Sequence, residues 1–143
     1  MILALVAASL FAVSVWIGQW WTVGEVAIGP LGSRHCFGGE CRPGGLGWIG
    51  GSSTWERGAA ATWMAGLVSM IALMGLAAAL AAGRVPKLVA RTTLVAIATA
   101  ILAGGYFVVG FPGVSGAAIG QGLILFVAAI VVGVVPAIRV LRQ

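Results

Sequence analysis

The sequence predicts an all-α integral membrane protein, a four-transmembrane-helix bundle with a small disulfide-stapled outer loop. Three observations predict it. First, 61% of the 143 residues are apolar and only 8% are charged, against about 45–50% and about 25% in soluble domains. That leaves too little polar surface to cover a soluble globule and far too much apolar content for a disordered chain. Second, long uncharged apolar segments recur along the chain, and a span needs about 20 such residues. Third, the charges are segregated between loops.

The elements follow in order as one domain, residues 1–143. Span one covers 2–21. It lacks the basic n-region of a signal peptide and is read as a span. The outer loop covers 22–58. Span two covers 59–82 and stops at Gly83, with Pro86 in the connector. The uncharged stretch from Thr92 to Ile138 is too long for one helix. It divides at Gly110-Phe-Pro-Gly-Val-Ser-Gly116, a turn by its glycines and proline. Span three is then 92–110 and span four 117–138, with Pro136 placed to kink the last turn.

Charge placement gives orientation. Glu25, Arg34, Glu40, Arg42, Glu56 and Arg57 sum to zero in the first loop. Arg84, Lys87, Arg91, Arg139 and Arg142 supply the whole net charge of +5. Short loops rich in Lys and Arg stay cytoplasmic. The 84–91 connection and both termini are therefore expected in the cytoplasm, and the 22–58 loop on the periplasmic or extracellular side. Five dispersed charges without interleaved aromatics do not make a nucleic-acid surface.

Trp16, Trp20, Trp21, Trp48, Trp55 and Trp63 all fall at the outer ends of spans or in the outer loop, where indoles act as interfacial anchors. Trp48 and Trp55 lie within the loop and are the better candidates for stacking on an outside ligand. Leucine packed on leucine gains nothing hydrophobic in lipid, so close helix approach calls for small residues. Ala61, Ala65, Ser69 and Ala72 offer such a stripe on span two. Ala96, Ala100 and Gly104 do so on span three, and Gly116 and Gly120 open span four. These stripes suit packing within the bundle or a seam for another subunit.

Ion-coupled transport needs an ionisable group at depth, and none lies well inside any span. Ser9, Ser14, Thr62, Ser69, Thr92, Thr93 and Thr99 can bond to their own helix carbonyls. Gln121 is the costliest polar residue, bonded across helices or held near the outer interface. Haem would need facing axial ligands at depth, whereas the single His35 lies in the loop. His35, Cys36, Glu40 and Cys41 match no common zinc spacing. No nucleophile can be paired with a base and an orienting acid, and no phosphate-cradling loop is present. No metal or cofactor is expected.

Cys36-Phe-Gly-Gly-Glu-Cys41 is the strongest local feature. An outward loop is a compartment in which disulfides persist, and Gly38 and Gly39 let the chain turn tightly. The principal reading is a structural staple. The redox alternative is a quinone-linked thiol oxidoreductase using this pair. Such enzymes carry C-x-x-C and usually a second pair, and this chain has C-x4-C alone. Ahead of the cysteines, Trp20 to Ile28 reads as an extended strand and Gly29 to Ser33 as a turn, one hairpin leading into Cys36. Gly44 to Ser53 reads as a glycine-rich mobile stretch.

Four spans, cytoplasmic ends, a close cysteine pair in the first outer loop and a very short second outer loop resemble the claudin and peripheral-myelin-protein superfamily. In that family a tryptophan follows the first span, then Gly-Leu-Trp-x-x-Cys, then a second cysteine and a basic residue. Here Trp20 or Trp21 precedes Gly29-Pro-Leu-Gly-Ser-Arg-His-Cys36, and Cys41-Arg42 follows. The motif's second tryptophan is replaced by Ser33, Leu31 and Gly32 stand in reversed order, and the cysteines and the loop are shorter-spaced. The resemblance implies a left-handed four-helix bundle capped by a small antiparallel sheet, with a role in lateral assembly or adhesion and no catalysis. The functional expectation is a non-enzymatic membrane protein. It would act by lateral helix packing, either as a structural or accessory subunit of a membrane assembly or as a claudin-like self-assembling protein. Its partners would be membrane lipid and other subunits or copies of itself.

Overall fold

The computed structural model describes residues 1–143. Its elements are α1 (Ile2–Trp16), β1 (Trp21–Val23), β2 (Val26–Gly29), β3 (Gly32–Phe37), β4 (Glu40–Gly44), a 3-10 turn (Gly47–Ile49), α2 (Ser53–Ala81), α3 (Lys87–Val109), β5 (Ala118–Ile119) and α4 (Gln121–Leu141). The helices α2, α3 and α4 are long and apolar enough to cross a membrane, and α1 is a shorter apolar helix. At 15 residues α1 extends about 22 Å.

The helix boundaries differ from the hydropathy reading at three of the four ends that meet the sheet, the end of α3 at Val109 being the exception, and at the start of α3. Span one is expected to reach residue 21, yet α1 stops at Trp16, with Ile17 as its cap and Gly18 at φ +37°. Span two is expected from residue 59, yet α2 begins at Ser53. There the Ser52 hydroxyl caps it by accepting the Trp55 amide at 3.2 Å, and Glu56 sits in its first turn. A capped polar first turn is invisible to a hydropathy window. α3, which has no side-chain cap, begins at Lys87 directly after Pro86 and takes in Lys87 and Arg91, charged residues that a hydropathy reading leaves outside the span but that are sound helix formers. The expected start of span four, at 117, is followed by β5 instead, and α4 runs unbroken from Gln121 through Pro136 to Leu141.

The outer loop holds more structure than one hairpin. The five strands form a single antiparallel sheet in the order β4-β3-β2-β1-β5. The extended strand expected over 20–28 folds back on itself at Gly24 (φ +56°), pairing Val23 with Val26. The turn expected at Gly29 to Ser33 joins β2 to β3. The edge strand β5 comes from the short 110–120 connection and pairs Ile119 with Trp21.

The sheet caps the end of the bundle where α1 and α3 finish and α2 and α4 begin. Residues 84–91 and 139–142 lie at the opposite end. α1 runs antiparallel along α4: Met1, Ile2 and Leu3 border the same hollow as Leu80, Pro136 and Arg139, while the Ser14 hydroxyl donates to the Gly122 carbonyl at 2.8 Å. One apolar core runs from Ala4 and Leu73 through Phe11 and Phe126 to Trp20, Ile28 and Leu46 under the sheet. The other buried hydroxyls on the helices bond back to their own helices, Thr62 to Gly58, Ser69 to Ala65 and Thr93 to Val89, all at 2.8 Å, and Thr93 also reaches the Ala72 carbonyl of α2 at 3.3 Å.

Candidate functional site

The sheet end gathers most of the chemically distinctive residues, in three layers. The outermost is the β3–β4 hairpin. Gly38 and Gly39 form its two-residue turn at φ +60° and +88°. A tight hairpin of this kind needs positive φ at both central residues, which only glycine adopts at no steric cost. The register sets Cys36 opposite Cys41 with Cα atoms 4.0 Å apart, and a disulfide joins them. Exposed Phe37, Arg34 and Arg42 surround it, and Glu40 pairs with Arg42 at 3.5 Å on the surface. Both sulfurs are bonded, so in this form neither serves as a metal ligand. Replacing both cysteines by serine is expected to lower stability by about 2 kcal/mol, the chain-entropy value for so short a loop. The measurement is urea or SDS unfolding of the purified chain with and without reductant: reductant should shift the wild type and leave the double variant unmoved.

Beneath lies a polar node. The buried Ser33 hydroxyl donates to the Gly45 carbonyl at 2.8 Å and accepts the Trp48 indole N–H at 3.0 Å. His35 Nε2 stands 3.0 Å from the same oxygen. A hydroxyl has one hydrogen, here committed to Gly45, so Nε2 carries the proton in that contact. The His35 ring meets Trp48 edge to face at 5.3 Å. The node ties Gly45 and Trp48 to the sheet, and the Gly44 to Ser53 stretch contains a 3-10 turn. Trp48 remains half-exposed.

The third layer is an aromatic plug between sheet and helices. Trp20, Trp55 and Phe107 are fully buried, and Trp21 and Phe126 nearly so. Trp20 packs 4.7 Å from Phe126 and 5.6 Å from Phe107. Trp21 stacks on Phe111 at 4.2 Å and Trp55 on Phe107 at 5.1 Å. Two indole N–H groups are satisfied inside the protein: Trp20 donates to Ser14 O at 3.1 Å and Trp55 to Phe107 O at 2.9 Å.

The tryptophans thus divide differently from the interfacial expectation. Trp20, Trp21 and Trp55 are core residues, because their rings face partners from other elements and cannot reach headgroups. Trp55 is likewise closed to any outside ligand. Trp16 is exposed at the end of α1. Trp63 is half-buried with its N–H enclosed and unpaired, and nothing in the structure explains that arrangement.

The small-residue stripes divide too. Ala65, Ser69, Ala96, Ala100 and Gly104 are buried, and Ala72 partly so. Ala61 is exposed beside a groove between α2 and α3. Gly116 is exposed at φ +81° in the turn ahead of β5, not on a helix. Gly120 caps α4, where its role is to let α4 approach the backbone of Gln19. Helix crossings use Gly104 of the expected stripe, where a Cβ would stand 2.6 Å from the Phe126 ring, and also Gly66, outside it, where a Cβ would stand 2.5 Å from Val15 Cγ1. Gly66 carries no periodic signal that separates it from 22 other glycines. Gln121 is exposed at the first residue of α4. The cationic residues Arg84, Lys87, Arg91, Arg139 and Arg142 are all exposed at the far end.

Comparison with protein families, curated proteins and solved structures finds no match to this chain.

Proposed function

We propose that the chain is a non-enzymatic, four-helix integral membrane protein of claudin-like architecture that acts by lateral self-assembly. The single observation that carries this reading is the five-stranded antiparallel sheet. Four of its strands come from the first loop and one from the short second loop, the disulfide ties its outermost hairpin, and it sits on one end of an antiparallel helix bundle. A small antiparallel sheet capping the bundle is what the family resemblance implies.

All four helices cross the bilayer in this reading. α1 is short, but it lies against α4 from Gly122 to Arg139, so it shares the thickness that α4 crosses. A short span is accommodated at modest cost by local thinning of the bilayer. The end bearing Arg84, Lys87, Arg91, Arg139 and Arg142 faces the cytoplasm with both termini, and the sheet faces out. Contact is made by the helix faces and by apolar side chains displayed at the sheet end, among them Leu31, Phe37, Trp48 and Ile119.

Mild-detergent extraction from the native membrane, with mass spectrometry of everything retained, tests the reading. Oligomers of this chain alone are expected. Larger unrelated subunits at a constant ratio would replace self-assembly with an accessory-subunit role. The thiol-oxidoreductase alternative has the exposed Cys41 in its favour. It fails if membranes holding the Cys36→Ser, Cys41→Ser chain oxidise substrate thiols as fast as wild type.

A further inference from the structure

We infer that the groove between α2 and α3 is a binding site for an anionic phospholipid, its phosphate held at the start of α3 and one acyl chain laid along the groove. The inference rests on the membrane-spanning reading above. The groove encloses about 580 Å³. Its α2 wall includes Ala61, Ala65 and Val68, and its α3 wall includes Arg91, Val95 and Thr99. From Arg91 to Thr99 the α3 wall rises roughly 12 Å, close to the ~15 Å of hydrocarbon in one leaflet. Small alanines keep the α2 side shallow, so the groove is apolar and chain-length along its run.

Charge marks one end only. Arg91 borders the groove, and Lys87 precedes it by one turn on the same ridge of α3. Arg84 adds a third cation in the connection. The chain has no acidic residue after Glu56, and its one ion pair joins Arg42 to Glu40 in the sheet, so these cations have no protein counter-charge. The same end is the N-terminus of a 23-residue helix with no acid in its first turn and no side-chain cap. The Leu88 and Val89 amides make no hydrogen bond within the chain. Free amides, the positive end of the helix dipole and a Lys–Arg pair are complementary to a phosphodiester. Basic recesses between spans on the cytoplasmic side are suited to anionic headgroups.

The test is native mass spectrometry of the full chain in a neutral detergent, titrated with dioleoylphosphatidylglycerol or dioleoylphosphatidylcholine. Retention of the anionic lipid at least fivefold above the zwitterionic one is expected. The pair Lys87→Ala, Arg91→Ala should abolish that preference, while Arg139→Ala, at the same end but off the groove, should keep it. Thr99→Leu or Ala61→Leu, which fill the groove, should weaken both lipids about threefold. Equal retention of the two lipids overturns the inference, as does a preference that survives loss of Lys87 and Arg91. Dimers that Ala61→Leu dissolves without changing lipid retention would assign the groove to a second copy and also overturn it. Unchanged helicity by circular dichroism shows that the variants fold. Alkaline carbonate separates the two levels. A chain released from membranes sinks the membrane reading and the site together, whereas a retained chain with no lipid preference sinks the site alone.

Discussion

Trp20→Ala is expected to lower stability by about 3–5 kcal/mol, the range for removing a large buried aromatic. Trp20 is fully buried, and its ring meets Trp21, Phe107 and Phe126, from β1, α3 and α4. Its indole N–H holds the Ser14 carbonyl at the end of α1. Its backbone N–H donates to Ile28 O at 2.8 Å, and its carbonyl accepts the Gly120 N–H at 2.8 Å. In lipid, burying an apolar side chain carries little hydrophobic gain, so the loss is one of dispersion contacts and of the cavity left behind. The check is SDS titration of the protein in mixed micelles, followed by far-ultraviolet circular dichroism. Trp16→Ala, at an exposed indole, should stay within about 0.5 kcal/mol of wild type. Equal losses in the two variants would show that the plug does not hold the sheet to the bundle.

Gly120→Val should be nearly as damaging for a different reason. The φ of Gly120 is −93°, open to any residue, so backbone preference is not at issue. Space is. A Cβ there would stand 2.1 Å from the Gln19 carbonyl oxygen and 2.7 Å from its carbon, both main-chain atoms that no rotamer change can move. The two hydrogen bonds that clamp this joint, Gly120 N–H to Trp20 O and Gly122 N–H to Gln19 O, both at 2.8 Å, would separate. A destabilisation of about 3 kcal/mol is expected, at the upper end of overpacking effects. Hydrogen exchange reads it locally: β1 amides should exchange roughly a hundredfold faster. Gly105 is the contrast. It is helical, with open space at its Cβ position, and Gly105→Ala should be neutral or stabilising by up to ~1 kcal/mol.

The candidate site was legible where its chemistry is local. Cys36 and Cys41 lie five positions apart around Gly38-Gly39, and a two-glycine turn between paired strands is a short-range instruction. Along the chain Ser33 reads only as the end of a turn and the place of an absent tryptophan. Its bonds to Gly45, His35 and Trp48 depend on β3 and the 3-10 turn meeting, which no spacing rule announces. β5 has two residues, and its only reason to be a strand is the free edge of β1, nearly a hundred positions earlier in the chain. The start of α2 escapes a hydropathy reading because its first turn is polar and held by a Ser52 cap, and that of α3 because the charges of Lys87 and Arg91 break its apolar run.

By itself the sequence determined the apolar segments, the turns between them, the uneven charge and the closeness of the two cysteines. Each is a property of composition or of a few neighbouring residues, so each is readable along the chain. Tertiary structure alone decided which tryptophans are core, which glycines are contacts and how far the sheet extends. Trp20 and Trp16 are four residues apart and equally apolar. One is buried because Phe107, Phe126 and Gly120 arrive from the far half of the chain to enclose it. The other is exposed because nothing does, and an indole carries no local mark of that difference.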